Sequence, residues 1–162
     1  MRGGILCIAA LAVLLLAACG GSSGGTTTTP TRLSFAAYRA KLTKIKVEAA
    51  KAQSDVGKGL QAKSVPELKQ RVDQFAADTQ RIGDEVAQLK PPQAAEAANT
   101  QLAQGLHDIA AGTRAASTKI ATMKTVQAAI TYLEHSKGPV QGSREVTSAL
   151  AKLKTLGYTT GS

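Results

Sequence analysis

From Ser34 onward, apolar side chains recur at alternating intervals of three and four residues. Phe35, Tyr38, Leu42, Ile45, Ala49, Ala52 and Val56 make the first seam, and Ser34 stands before it as an N-cap. Val65, Leu68, Val72, Phe75, Thr79, Ile82, Val86 and Leu89 make a second. It opens on Ser64-Val65-Pro66-Glu67, a capping box with proline in the first turn. Lys90-Pro91-Pro92 ends it, because proline cannot continue the hydrogen-bond ladder and biases its predecessor away from the helix. The third seam holds Ala95, Ala98, Leu102, Leu106, Ile109, Thr113, Ala116, Ile120 and Met123, and Val126, Ile130 and Leu133 continue it in a shifted phase. One helix to about Ser136 fits this pattern, and so does a break near Gly112 to Lys124; the phase shift points to a kink or break. Gly138-Pro139 and Gly142 read as a loop, with Ser143 capping a last short helix that carries Val146, Leu150, Leu153 and Leu156 and closes on Gly157.

No run alternates with period two for long enough to make a strand. The pattern therefore predicts an all-α domain over residues 34–158, an antiparallel up-and-down bundle of about four helices whose third is long and kinked or broken. A pair of long helices dimerising through heptad seams is the alternative. A monomer is the simpler expectation, since four segments can cover one another. With 162 residues the chain holds one domain, and aromatics at 3% with no Trp leave the core to Ala, Leu, Val and Ile. Such small side chains let helices approach closely and suit a sheet poorly.

Ahead of the helical region the pattern is different. Met1-Arg2 is a short positive start, and Ile5 to Leu16 is an apolar run of about a dozen residues, below the ~20 that span a bilayer. It ends in Leu16-Ala17-Ala18-Cys19, followed by the low-complexity GGSSGGTTTTPT of residues 20–31. A segment so poor in apolar residues is expected to be a disordered tether with a root-mean-square span of roughly 20 Å.

Leu16-Ala17-Ala18-Cys19 resembles the lipobox of bacterial lipoproteins. The resemblance implies that residues 1–18 are a signal peptide and that the Cys19 sulfur accepts a diacylglyceryl group before cleavage in front of it. Mature residue one would then carry two or three acyl chains, and residues 19–33 would link it to the domain, with 159–162 a tail. Two chains anchor far better than one, since each buried methylene adds about 0.8 kcal/mol. The implied location is the extracytoplasmic face of the membrane. The Ala-rich hairpin, the Pro-Pro turn, QLAQGL and LKTLGY also resemble small actinobacterial lipoproteins over residues 34–158, a likeness that carries no activity with it.

The body offers little chemistry. The two cysteines are Cys7 and Cys19, so residues beyond 19 have neither a disulfide nor a thiolate metal site. A di-iron site of the ferritin kind needs Glu three residues before His, but Gln104 and Tyr132 precede His107 and His135 at that offset. No haem attachment motif, phosphate-binding loop or dinucleotide fingerprint occurs, and pairing Met123 with a histidine on haem would need the chain to fold back. Asp84-Glu85 and Glu134-His135 are sequence neighbours that point different ways on a helix. The expectation is no catalytic residue, no metal and no cofactor.

Charge is the remaining signal. The formal net charge is +9, and residues 32–71 hold ten Lys and Arg against three acids. Arg39, Lys41, Lys44, Lys46, Lys51 and Lys58 of the first helix are candidate contacts to an anionic surface, lipid heads or a wall polymer. The same helix spells Lys44, Glu48, Lys51, Asp55, Lys58, alternating in sign at helical spacing, which also reads as an internal surface ladder. Nucleic acid is a poor partner for helices with so few stacking aromatics. The function expected is non-catalytic, binding an envelope protein or anionic polymer, or structural; the alternative is a carrier of a small apolar ligand between its helices, which requires an apolar cavity of several hundred Å³.

Overall fold

The computed structural model describes residues 31–59 and 61–158. These form five α-helices that pack together: α1 (Phe35–Gly59), α2 (Val65–Gln88), α3 (Glu96–Ile120), α4 (Val126–His135) and α5 (Gly138–Thr155), with a 3₁₀ turn at Gln93–Ala95 leading into α3. No strand occurs among the described residues.

Local signals explain the boundaries. Ser34 Oγ accepts the Ala37 N–H at 3.2 Å and opens α1. Ser64 Oγ accepts the Glu67 N–H at 3.3 Å, while Glu67 Oε2 reaches back to the Lys63 N–H at 2.9 Å. The two serine contacts satisfy donors that the first turn of a helix leaves unpaired, and the Glu67 contact holds the backbone just ahead of the cap. Leu89 leaves α2 in an extended conformation ahead of the two prolines.

Between Ile120 and Val126 the third seam breaks into two helices, and Thr125 N-caps the second, its Oγ1 accepting the Ala128 N–H at 3.2 Å. The shifted phase of Val126, Ile130 and Leu133 is the sequence trace of that break. Gly112 stays inside α3.

The reading of Gly138, Pro139 and Gly142 as a loop with a cap at Ser143 is corrected. Helix α5 begins at Gly138 with Pro139 in its first turn, where the missing N–H costs nothing. Ser143 lies inside the helix and its Oγ donates back to the Pro139 carbonyl at 2.9 Å. Gly142 is helical because α3 lies against it. A Cβ there would collide with the Gly105 carbonyl oxygen, and one on Gly105 would stand 2.9 Å from both Gly142 O and Val146 N. The two glycines let the backbones of α3 and α5 touch. Beyond α5, Gly157 takes φ of +79°, the left-handed turn that favours glycine after a helix.

Among the described residues, nine of the 22 buried apolar side chains are alanine. The larger core gathers Tyr38, Leu42 and Ile45 of α1, Ile82 and Val86 of α2, Leu102 and Leu106 of α3, and Val146 and Leu153 of α5. A second, at the other end, joins Leu68 and Val72 of α2 to Ile120 and Ala129, with Met123, Ile130 and Leu133 packed on it. Helix α5 thus covers one end of the α2–α3 pair and α4 covers the other.

One buried polar chain runs through the larger core. The Tyr38 hydroxyl donates to Asn99 Oδ1 at 3.0 Å, and Asn99 Nδ2 donates to the Val86 carbonyl at 2.9 Å. It ties α1 to the start of α3 and the last turn of α2. Burial pushes the Tyr38 phenol well above its ordinary value, with the nearby Tyr158 adding to the rise, so it stays a neutral donor.

Two stability tests follow from this packing. Gly142→Ala should lower the unfolding free energy by about 1–3 kcal/mol, since overpacking outweighs alanine's helix propensity of about 1 kcal/mol. Gly57→Ala, where nothing lies within 4 Å of the added methyl, should leave stability unchanged or raise it by up to ~1 kcal/mol. Asn99→Ala should cost about 1–3 kcal/mol by stranding the buried Tyr38 hydroxyl, and Tyr38→Phe about 1 kcal/mol. Urea denaturation of the four variants reads all of these.

Candidate functional site

Helix α1 presents its cations along a face that α2 partly answers. The Arg81 guanidinium of α2 donates to Glu48 Oε2 at 2.7 Å, and Lys44 lies 3.6 Å from Glu48 and 4.0 Å from Glu85. Further along, Lys51 and Lys58 converge on the Asp55 carboxylate at 2.8 and 3.1 Å. Three of the six candidate contacts, Lys44, Lys51 and Lys58, are therefore engaged by carboxylates of the protein itself. Lys41 is exposed and Lys46 half-buried, and neither forms a salt bridge with a described residue; Arg39 is half-buried. The sign alternation along α1 corresponds to real pairs, and the Arg81 link to α2 turns the ladder into an interhelical network. Sequence spacing identifies the i,i+4 partners but carries no trace of Arg81, which is 33 residues from Glu48.

The network shifts the acids. Hydrogen bonding from Arg81, with the charges of Arg81 and Lys44, holds the Glu48 carboxyl below its usual range despite its partial burial. Hydrogen bonds from Lys51 and Lys58 lower Asp55, and the Lys63 N–H with Arg71 lowers Glu67. Burial alone would raise Asp73, but hydrogen bonds from Lys69 and the buried Ser117 hydroxyl bring it below the ordinary value.

Histidine and carboxylate do meet, although not as sequence neighbours. His107 Nε2 lies 2.9 Å from Asp84 Oδ1, with the ring seated over Gly83, where any Cβ would strike it. His135 is exposed and bonds only within its own helix, Nδ1 donating to the Thr131 carbonyl at 2.7 Å. Neither histidine lines either of the two clefts described next.

The larger cleft, about 650 Å³, lies where α2 and α4 begin and is lined by Lys63, Ser64, Pro66, Lys69, Lys124 and Thr125 among others. The smaller, about 450 Å³, runs along the outer face of α2 past Lys69, Gln70, Asp73 and Gln74. Both are open to solvent and lined by apolar as well as polar side chains, Val65, Ala121, Met123 and Val126 among them in the larger, and neither is the enclosed apolar cavity a carrier requires. Among the described residues no group of three or more His, Cys, Asp or Glu is placed to hold a metal ion, and no helix is long and apolar enough to cross a membrane. Leu16, Ala17, Ala18 and Cys19 lie outside the described residues.

No protein family, curated protein or solved structure matches the chain.

The lowered carboxylates give a pH dependence of definite sign. Each is more acidic folded than unfolded, so its contribution is complete above the unfolded pKa of about 4 and is lost as pH falls through the folded value. The urea midpoint should hold steady from pH 7 to about 5 and fall steadily below pH 4. Glu48→Gln should lower the midpoint at pH 7 and flatten the acid decline.

Proposed function

We propose that the chain is a lipid-anchored extracytoplasmic protein, held at the membrane through acyl chains on Cys19, whose helical domain acts by binding rather than catalysis. The observation that carries this reading is Leu16-Ala17-Ala18-Cys19, placed between an apolar run too short to span a bilayer and a Gly/Ser/Thr-rich segment. Small residues before the cysteine suit a peptidase that must reach extended backbone, and the thiol supplies the nucleophile for lipid transfer.

The antiparallel contacts of α1 with α2, α2 with α3 and α3 with α5 support reading the domain as an up-and-down bundle, with α4 closing one end. The openness of these two clefts fits a contact surface better than an enclosed apolar carrier. The partner is an anionic surface of the envelope, and Lys41 and Lys46 are the cations of α1 that form no salt bridge with a described residue.

Intact mass of the membrane fraction tests the anchor. The wild-type chain should begin at Cys19 and carry the added mass of two or three acyl chains, while Cys19→Ala should retain residues 1–18 and carry none. Equal masses, apart from the side-chain change, would refute lipidation.

A further inference from the structure

The two ends of the folded domain meet at one place. Phe35, the first residue of α1, stacks on Tyr158 with ring centroids 4.7 Å apart, and Tyr158 meets Tyr38 edge-on at 5.2 Å. Gly157 packs against the Phe35 ring, its Cβ position 3.6 Å from Cζ, and Leu156 precedes it. Tyr38 and Tyr158 are buried, but Phe35 is 47% exposed and Leu156 39% exposed. Two of the four large exposed apolar side chains among the described residues therefore share this end; the other two, Val47 and Val140, lie within α1 and α5.

The same end is strongly basic. Arg32, Arg39, Lys41, Lys90, Lys152 and Lys154 fall in residues 32–42, 88–101 and 150–158, and the single carboxylate in those segments is Glu96. Arg32 pairs with Glu96 and Lys152 donates to Gln101, while Lys90 and Lys154 are exposed. Exposed aromatic and aliphatic groups ringed by cations are the composition that settles into the headgroup region of an anionic bilayer.

Chain length decides the occupant. Eleven residues lie between Cys19 and Thr31, so the twelve Cα steps reach at most about 40 Å. Helix α1 alone, at 25 residues, is about 37 Å long. A chain anchored at Cys19 therefore brings the Phe35 end to the lipid more readily than any other part of the domain. We infer that this end, with Phe35 and Leu156 inserted and Lys90 and Lys154 over the headgroups, docks on the anionic bilayer that holds the Cys19 lipid, so that the helices stand off the membrane rather than lie along it. The inference rests on the anchoring reading above, and it moves the contact from the flank of α1 to its first turn.

The chain has no Trp, so a single introduced indole reports on one position. Lipidated Phe35→Trp, Leu156→Trp and Val47→Trp chains would be reconstituted in vesicles containing phosphatidylglycerol and bromine-labelled acyl chains. Circular dichroism would establish that each is folded as wild type, and the two end variants serve as independent copies of the test. Bromine should quench the Phe35→Trp and Leu156→Trp emission about twofold or more and shift it to the blue, because a docked apolar face sits ~5–10 Å deep. Val47→Trp should be unaffected. Adding Lys90→Glu and Lys154→Glu, or replacing phosphatidylglycerol by phosphatidylcholine, should weaken docking roughly fivefold per cation lost. Flotation separates the two readings. Chains that float with the vesicles while both end indoles stay unquenched would overturn the docking and leave the anchor standing. Stronger quenching at Val47→Trp than at the end would replace it with the flank of α1, and failure to float would remove the anchor and the docking together.

Discussion

Everything in this fold depends on how closely α3 can be approached. Among the described helices it alone packs extensively along both α2 and α5, and it is buried on two sides by Ala98, Leu102, Ala103, Gly105, Leu106 and Ala110. A chain with no Trp and two Phe has few side chains large enough to bridge widely separated helices. It compensates by bringing backbones together, and the Gly105–Gly142 contact is where that reaches its limit. Dispersion contacts between backbones at this distance replace those a larger side chain would make. The result tolerates little added volume along the α3–α5 seam and much more along the outer face of α1.

Much of this architecture is legible in the sequence. Most of the seams from Tyr38 to Ala52 and from Leu68 to Val86 face the interior, although Ala49 and Phe75 are only half-buried and Phe35 is exposed at the domain's edge. The caps at Ser34 and Ser64 and the left-handed turn at Gly157 also follow from local chemistry. The start of α5 does not. Gly138, Pro139 and Gly142 have the composition of a loop, and only the neighbouring α3 backbone makes a helical glycine at 142 favourable. A single 3/4 seam also underestimates α3, whose second buried face of Ala103, Gly105 and Ala110 looks like filler until its two partners are known.

The candidate contact surface shows the same division. Lysine-to-acid spacing along α1 reveals the local pairs, whereas Arg81 to Glu48, His107 to Asp84 and Arg32 to Glu96 join residues 33, 23 and 64 positions apart. Such partners depend on register between helices, which periodicity does not contain. Counting charge alone therefore makes α1 look more available than it is, since surface pairs of this kind contribute only tenths of a kcal/mol each yet cancel the local field. The meeting of Phe35 with Tyr158 is likewise invisible at a separation that spans the whole domain.

That meeting has a mechanical consequence. The backbone bond from the Leu33 N–H to the Lys90 carbonyl, at 2.7 Å, and the Arg32 contacts to Pro91 and Glu96 stand between residue 31 and the first turn of α1. Tension entering the domain from its amino-terminal side is borne by these bonds first. Behind them stands the Phe35 ring held by Tyr158, which clamps the start of the fold to its end. A pull on the chain must therefore strip a crosswise clasp of polar and aromatic contacts before it can begin to peel α1 from α2.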